Sequence, residues 1–238
     1  MALLDRIYGN FFDGILKGES KTYNDHNWYT SGGLRGYIEG RGQKAYPLLK
    51  KPLSEYTIGE VMQFQSRPRD GTGQLWATGR YQIIPNTLKG LVEKTGLKPN
   101  DKYSVANQNL LGGQLLKNRS PIWNYLNGTI PDTTENVQKA SLEMAKIWSS
   151  LGVPYGVQGR SRWVNKDESY YSGGGDRASV SSDVVIAKLR ELRNGLLGKV
   201  SGAVVGAYGV AKERPLLTIA MSSAFILASY VIYKQFKK

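Results

Sequence analysis

The stretch Gly18-Glu19-Ser20-Lys21-Thr22-Tyr23-Asn24-Asp25-His26-Asn27-Trp28 decides the fold that we expect for this chain. It sets one glutamate among small, polar and aromatic residues, directly after a run of apolar residues at helical spacing. That run predicts a helix over residues 2–17 with one buried face, and Gly18 suits its end. Its apolar members are Leu3, Leu4, Ile7, Phe11, Phe12, Ile15 and Leu16. Glu19 is therefore expected at the end of a helix, at the lip of a cleft.

The sequence on the C-terminal side of this stretch predicts an α+β domain over residues 1–165. The segment 31–42 alternates glycines with aromatic and apolar residues, which indicates short strands or irregular loops. Apolar periodicity and capping residues then predict helices. One helix is expected to begin near Ser54 or Thr57 and another after Pro85. The others are expected over residues 104–117, 120–127 and 134–150. The fold class expected is a mainly helical domain with a small glycine-rich β region.

The composition changes after residue 165. Residues 166–181 are polar and rich in glycine and serine, which predicts a flexible linker. Residues 182–211 predict an amphipathic, juxtamembrane helix. Its glycines Gly198, Gly202 and Gly206 suit either close helix packing or a flexible segment.

The last segment, 212–238, predicts a C-terminal transmembrane helix with basic flanks. Residues 215–233 carry no charge, and as a helix they are about 28 Å long, close to the roughly 30 Å of bilayer hydrocarbon. The start of the chain lacks an uninterrupted apolar run, so no secretory signal is expected there.

Charge and composition narrow the function classes. The formal net charge is +13, and both the first 166 residues and the remainder are basic, so anionic partners such as wall polymers or lipid headgroups are expected. Basic and aromatic residues do not interleave as in a nucleic-acid-binding module, so nucleic acid is not expected. Without cysteine, and with His26 as the one histidine, the sequence predicts no metal site, no thiol nucleophile and no cofactor. His26 itself is interpreted as a hydrogen-bonded loop residue.

Three segments of the chain resemble the phage lambda-type lysozymes, lytic transglycosylases of the lysozyme-like superfamily. The first is Gly18-Glu19-Ser20 with Tyr23-Asn24. The second is Thr78-Gly79-Arg80-Tyr81-Gln82-Ile83, and the third is Ile147-Trp148-Ser149-Ser150-Leu151-Gly152 followed by Tyr155-Gly156. The resemblance covers about residues 10–160. It implies a lysozyme-like fold and a bacteriolytic, peptidoglycan-cleaving activity.

The resemblance also implies roles for individual residues. Glu19 matches the single catalytic acid, which protonates the glycosidic oxygen between N-acetylmuramic acid and N-acetylglucosamine and then takes the proton of the muramyl C6 hydroxyl. The product is a 1,6-anhydro sugar, and no water is consumed. The apolar face before Glu19 would raise its pKa, as this role requires. Substrate contacts are expected at Ser20, Asn24, Tyr81, Gln82 and Tyr155.

Two alternatives stay open. A hydrolytic lysozyme (muramidase) needs a second carboxylate near the scissile bond, for which Asp25 and Glu39 are the candidates. The T4-type spacing, with an aspartate nine residues after the glutamate, fails because Trp28 stands there. A non-catalytic virion membrane protein that grips glycan is the alternative from another class.

The predicted anchor and the predicted activity together suggest a cellular setting. The hypothesis is a single-pass, C-terminally anchored protein of a bacteriophage virion membrane, which degrades the host cell wall as the genome enters. Other virion membrane or capsid proteins would then be partners. A late-acting lysis enzyme is the alternative.

Overall fold

The structure is a computed structural model that describes residues 11–16, 20–68, 73–173 and 178–212, with side chains described as far as residue 198. Two compact units are present, residues 1–193 and 194–238. The helices are α1 (residues 11–15), α2 (Ile58–Gln65), α3 (Pro85–Thr95), α4 (Val105–Lys117), α5 (Ser120–Leu126), α6 (Thr134–Ala145) and α7 (Ser182–Lys212). The strands are β1 (His26–Thr30), β2 (Gly33–Tyr37), β3 (Leu75–Thr78), β4 (Val157–Gln158) and β5 (Trp163–Val164). The α+β class is confirmed.

The glycine-rich region forms a three-stranded antiparallel sheet in the order β2-β1-β3. Strand β1 pairs with β2 from His26↔Tyr37 to Thr30↔Gly33, and Gly33 adopts φ 98°, which suits a tight reversal of the chain. On its other side β1 pairs with β3, with a register shift between His26 and Trp28. The predicted short strands are present, and His26 lies in a strand rather than in a loop.

Local capping signals start and stop the helices where the sequence predicts. Thr57 caps α2 in a capping box with Glu60, whose carboxylate accepts from the Thr57 backbone N–H at 2.6 Å. Pro85 opens α3, and Gly96 ends it in the left-handed conformation. Helix α6 ends at Ala145, short of the predicted residue 150, because the chain turns there to bury Trp148.

The core joins α1 to the helices that follow the sheet. Phe12, Ile15 and Leu16 of the α1 region are fully buried. The ring of Phe12 meets those of Tyr81 and Trp148 edge-on, at centroid distances of 4.6 Å and 5.6 Å. The α1 residues therefore hold together the two segments that carry the second and third sequence resemblances.

The described part of the predicted linker differs from a flexible coil. Gly152 N–H donates to Val180 O at 2.9 Å. Asp167 N–H donates to Val153 O at 2.9 Å, and Val153 N–H donates to Glu168 O at 2.9 Å. Asp167 also accepts from the backbone N–H and hydroxyl of Ser182 at the start of α7. The glycine and serine content of this segment is typical of a linker, but several of its backbone groups form hydrogen bonds with the domain.

The start of α7 also differs from a separate juxtamembrane helix. Val185, Leu189 and Leu192 are buried in the first unit, and Arg193 donates to the backbone oxygen of Tyr125. These apolar side chains at helical spacing are a core face, so the first compact unit extends to residue 193 rather than ending at 165.

Within the described ranges, no helix is long and apolar enough to cross a membrane. The predicted transmembrane segment, 215–233, lies outside those ranges.

Candidate active site

The predicted catalytic acid, Glu19, lies outside the described residues, as do Lys17 and Gly18, but Leu16 and Ser20 are described. The Ser20 backbone N–H donates to Leu16 O at 2.9 Å, and both residues are buried. Phe11, Phe12 and Ile15 are buried as well. The apolar side chains of residues 11–16 are therefore buried, as the sequence predicts, whereas the rest of the predicted helix, with Leu3, Leu4 and Ile7, lies outside the described residues.

Asp25 organises the loop that follows Glu19. Its Oδ2 accepts from the backbone N–H groups of Lys21 (2.6 Å) and Thr22 (3.1 Å) and from the Ser20 hydroxyl (3.2 Å). Its Oδ1 accepts from the Thr22 hydroxyl (2.7 Å) and from the Glu39 backbone N–H (3.0 Å). Burial acts to raise the pKa of the Asp25 carboxyl, but these hydrogen bonds outweigh it and hold the pKa below its ordinary value. Both oxygens of the Asp25 carboxylate thus accept hydrogen bonds that hold the loop in place.

The Gly79–Ile83 loop is a second tightly held turn. Thr78 and Ile83 exchange backbone hydrogen bonds at its base, at 3.2 Å and 3.0 Å. Gly79 and Gln82 both have positive φ, 71° and 47°. A positive φ is unusual for glutamine, so tertiary contacts must fix it. The Gln82 side-chain amide donates to Gly79 O at 2.8 Å, which supplies one such contact.

Arg80 connects this loop to the segment around Glu19. Its side chain is buried, and its guanidinium donates to the backbone oxygen of Ser20, to Phe12 O at 3.4 Å and to the Asp13 carboxylate at 2.7 Å. A buried arginine is stable only when its donors are paired. The residue directly after Glu19 is therefore tied to the second motif.

Tyr81 connects the same loop to α4 and to the third motif. Its hydroxyl donates to Asn109 Oδ1 at 2.6 Å, and the Tyr23 hydroxyl donates to the same oxygen at 2.9 Å. Trp148 Nε1 donates to Tyr81 O at 3.0 Å. Burial raises the pKa of the Tyr81 phenol. Tyr81 is 1% exposed, so its ring supports the site mainly from inside.

The three segments that resemble the lysozymes therefore converge. They are far apart in sequence, yet Arg80 bonds to Ser20 and Trp148 bonds to Tyr81, and Phe12 lies against both Tyr81 and Trp148. Gln108 of α4 adds a further link, because its side chain donates to Tyr23 O (3.0 Å) and accepts from the Arg80 backbone N–H (3.0 Å).

A cleft of about 480 Å³ opens beside the second motif. Its wall includes Tyr81, Gln82 and the first turn of α3, with the 146–148 segment opposite. Its charged lining residues are the cations Lys94, Arg119 and Lys146. Gln82 is half-buried, so its side chain faces both the loop and this cleft.

The other predicted site residues lie in different surroundings. Asn24 donates to the Glu39 carboxylate at 3.0 Å and accepts from the Ser54 backbone N–H at 3.0 Å. Glu39 is exposed, and Tyr155 is 36% exposed. Ser20 is buried with its hydroxyl bonded to Thr22 O and Asp25.

His26 is a structural histidine. Its Nε2 accepts from the Tyr46 backbone N–H at 3.0 Å, so Nδ1 carries the proton that reaches Asn24 O at 2.7 Å. Burial lowers its pKa. The neutral imidazole thus joins the sheet to the loop before it, which agrees with a hydrogen-bonded role.

Sequence reasoning missed the polar pair on α4 that supports the site. Gln108 and Asn109 are 0% and 7% exposed. Two amides beside each other on an apolar helix face are a usable signal, since buried polar groups must find hydrogen-bond partners. Arg80 was part of the second motif, but its link to Ser20 depends on a chain reversal that the motif does not contain.

Comparison with protein-family models, with curated proteins and with solved structures gave no match. In the part of the chain that the structure describes, no group of three or more acidic, histidine or cysteine side chains has the arrangement of a metal site.

Proposed function

We propose that this chain is a peptidoglycan lytic transglycosylase with a lysozyme-like domain, in which Glu19 is the sole acid/base. One observation carries the proposal: three short segments chosen from the sequence for their likeness to one enzyme family meet in space through buried hydrogen bonds. A single glycan-cleaving site built from these segments requires them to meet, and this observation supports the proposal for that reason.

The surroundings of Glu19 in the chain suit a general acid. Leu16 and Ser20, three residues before and one residue after Glu19, are buried, and so are the apolar side chains of Phe11, Phe12 and Ile15. Apolar surroundings favour the protonated carboxyl, which is the form needed to protonate a glycosidic oxygen. In the proposed reaction that oxygen leaves C1 of the muramyl sugar, and the C6 hydroxyl bonds to C1 in its place. Glu19 receives the hydroxyl proton and returns to its starting form.

Asp25 is poorly suited to be the second carboxylate of a hydrolase. Its oxygens accept five hydrogen bonds from the loop, so neither is free to attack a sugar or to activate water. Glu39 is exposed and bonded to Asn24, and it remains the candidate for the hydrolytic alternative.

Zymography on peptidoglycan tests the assignment of Glu19. Glu19→Gln keeps the shape of the side chain and removes its proton transfer, so clearing should fall by about 10²- to 10⁴-fold. Glu39→Gln is the matched control, and it should clear the substrate as the wild type does. Equal clearing by wild type and Glu19→Gln would refute the assignment. No clearing by the wild type would favour the glycan-gripping structural protein.

Product analysis separates the transglycosylase from the hydrolase. Mass spectrometry of the released muropeptides should find 1,6-anhydro-muramyl ends, which are one water lighter than reducing ends. Reducing-end muramic acid, together with loss of activity in Glu39→Gln, would establish the muramidase instead.

We propose further that residues 215–233 anchor the enzyme in a membrane, as in a bacteriophage virion that contains one and meets the host envelope as its genome enters. Flotation of the full chain with liposomes tests the anchor. Phe225→Asp places a charge near the middle of the apolar segment, at a cost of about 3 kcal/mol, and should release the protein from the floating fraction. Gln235→Asp, beyond the segment, is the control and should float. Finding the protein in purified particles would support the virion setting, and finding it only in late lysates would favour the lysis role.

A further inference from the structure

The turn after α6 leads into a short hairpin that the sequence analysis did not single out. Strands β4 and β5 pair at Val157↔Val164 and Gln158↔Trp163, and Gly159 N–H donates to Arg162 O at 2.9 Å across the loop. The Arg160 backbone N–H donates to Tyr170 O at 2.9 Å. Arg162 bonds to both carboxylate oxygens of Glu168, at 3.0 Å and 3.2 Å. The hairpin is therefore held in place from both sides.

This hairpin exposes an unusually large aromatic side chain. Trp163 is 57% exposed, whereas Trp28 and Trp148 are buried and the two remaining tryptophans, also in the described ranges, are partly buried. A methyl group built on Gly156 would lie 3.0 Å from Cζ2 and 3.3 Å from Nε1 of Trp163. The indole thus rests directly on the backbone at Gly156, which fixes its orientation while much of its surface stays in water.

A second exposed aromatic residue directly precedes this glycine in the chain. Tyr155 is 36% exposed. Among the described residues, neither the Tyr155 hydroxyl nor Trp163 Nε1 has a hydrogen-bond partner. The glycine that supports the indole is therefore next in sequence to another exposed ring with a polar group at its edge.

The chemistry of such an exposed indole fits a sugar ring. A pyranose has a C–H face that packs on an aromatic face and a rim of hydroxyls that bond to groups such as an indole N–H or a phenol. The neighbouring exposed residues Gln158, Arg160 and Ser161 are polar, so the surface lacks the apolar surroundings that insertion into a membrane needs. Fixing the indole on Gly156 also limits the side-chain entropy lost on binding.

We propose that the Trp163 indole, supported by Gly156, is an aromatic platform that stacks on a sugar ring of the glycan strand. The inference rests on the proposed function, because it takes the same polysaccharide as ligand. It extends the glycan-binding surface beyond the three sequence motifs to the β4–β5 hairpin.

The test is titration of the full-length Glu19→Gln protein, in detergent, with chitohexaose, a β-1,4-linked N-acetylglucosamine hexamer. Calorimetry gives the affinity, and tryptophan fluorescence reports stacking, since Trp163 is the most exposed tryptophan. Trp163→Ala should weaken binding on the order of tenfold, which corresponds to about 1.4 kcal/mol. Trp163→Phe should retain most of the affinity and lose the fluorescence change. Val184→Ala, another exposed apolar side chain, is the control and should bind normally.

A second variant guards against a folding artefact. Gly156→Ala keeps the tryptophan but puts a methyl group where the indole rests, so it should tilt the ring and weaken binding with little change in the thermal unfolding midpoint. Unchanged affinity in both Trp163→Ala and Gly156→Ala would overturn the proposal. A fluorescence change with anionic vesicles but none with chitohexaose would also overturn it, in favour of a membrane contact.

Failure of the platform is distinguishable from failure of the proposed function. If the wild type clears peptidoglycan but the Trp163 variants bind and cleave normally, only the platform is wrong. If binding depends on Trp163 but the wild type leaves peptidoglycan intact, the platform stands and the transglycosylase assignment is wrong.

Discussion

Two regions of the first compact unit use aromatic and charged residues in opposite ways. In the region of the three sequence motifs, Arg80, Tyr81 and Asn109 are buried. Arg80 donates to the backbone oxygen of Ser20, and the Tyr81 hydroxyl donates to Asn109. In the β4–β5 hairpin, Arg162 and Trp163 are exposed, and the indole lies against Gly156. The first region resembles a scaffold and the second a contact surface.

This difference teaches that membership of a motif and contact with a ligand are separate properties. Ser20 and Tyr81 belong to the motifs, but they are buried with their hydroxyls bonded inside the protein. Gln82 and Tyr155 keep an exposed portion, and Trp163 lies outside every motif. A short sequence pattern can reflect a requirement for internal support as well as a requirement for binding.

The comparison predicts its largest effect for the two arginines. Arg80→Met removes a buried guanidinium and leaves the Ser20 and Phe12 oxygens without that donor, so the free energy of unfolding should fall by about 2–4 kcal/mol. Arg162→Met breaks an exposed ion pair with Glu168 that solvent screens, so the free energy of unfolding should fall much less. Urea denaturation followed by circular dichroism measures both. An equal loss of unfolding free energy in the two variants would show that the buried and the exposed arginine do not differ in this way.

The loop held by Asp25 gives a pH-dependent prediction. Because the pKa of Asp25 is lowered by folding, its contribution is present above its unfolded pKa of about 4 and is lost as pH falls through the lower folded value. Asp25→Asn should cost about 2–3 kcal/mol at pH 7, since an amide nitrogen then faces backbone donors. The variant should lose less additional stability than wild type between pH 5 and pH 2. Parallel pH profiles would show that Asp25 does not supply this dependence.

Two helix glycines give the smallest predicted effects, with opposite signs. A methyl group on Gly112 of α4 would lie 2.7–2.8 Å from ring atoms of the buried Tyr81, so Gly112→Ala should destabilise by about 1–3 kcal/mol. Gly90 of α3 has open space around it, so Gly90→Ala should stabilise by up to about 1 kcal/mol. Thermal unfolding midpoints check both changes. A rise in the Gly112→Ala midpoint would mean that Tyr81 is loosely held.

The elements that the sequence predicted well are those with local causes. Thr57 and Ser104 cap their helices, Pro85 opens α3, and the glycine-rich segment reverses at Gly33 between two strands. These signals act within a few residues, so they can be read without knowing the fold.

The predictions that differed from the structure depend on distant partners. The 166–181 segment has the composition of a linker, but Asp167 and Val180 bond to the 150–153 turn and to the start of α7. The composition of a segment indicates how much apolar area it can bury. It gives no information about the backbone hydrogen bonds that a neighbouring segment of the fold can supply.

By itself, the sequence determined the α+β class and most helix starts, and the likeness of three segments to one glycan-cleaving family stays a prediction. Tertiary structure alone decided that these segments meet, that Tyr81 is buried while Trp163 is exposed, and that α7 begins inside the first unit. The physical reason is the distance along the chain between the residues that interact. Caps and periodicity arise from neighbours in the chain, whereas burial and the pairing of a guanidinium with a carbonyl sixty residues away arise only after the chain has closed on itself.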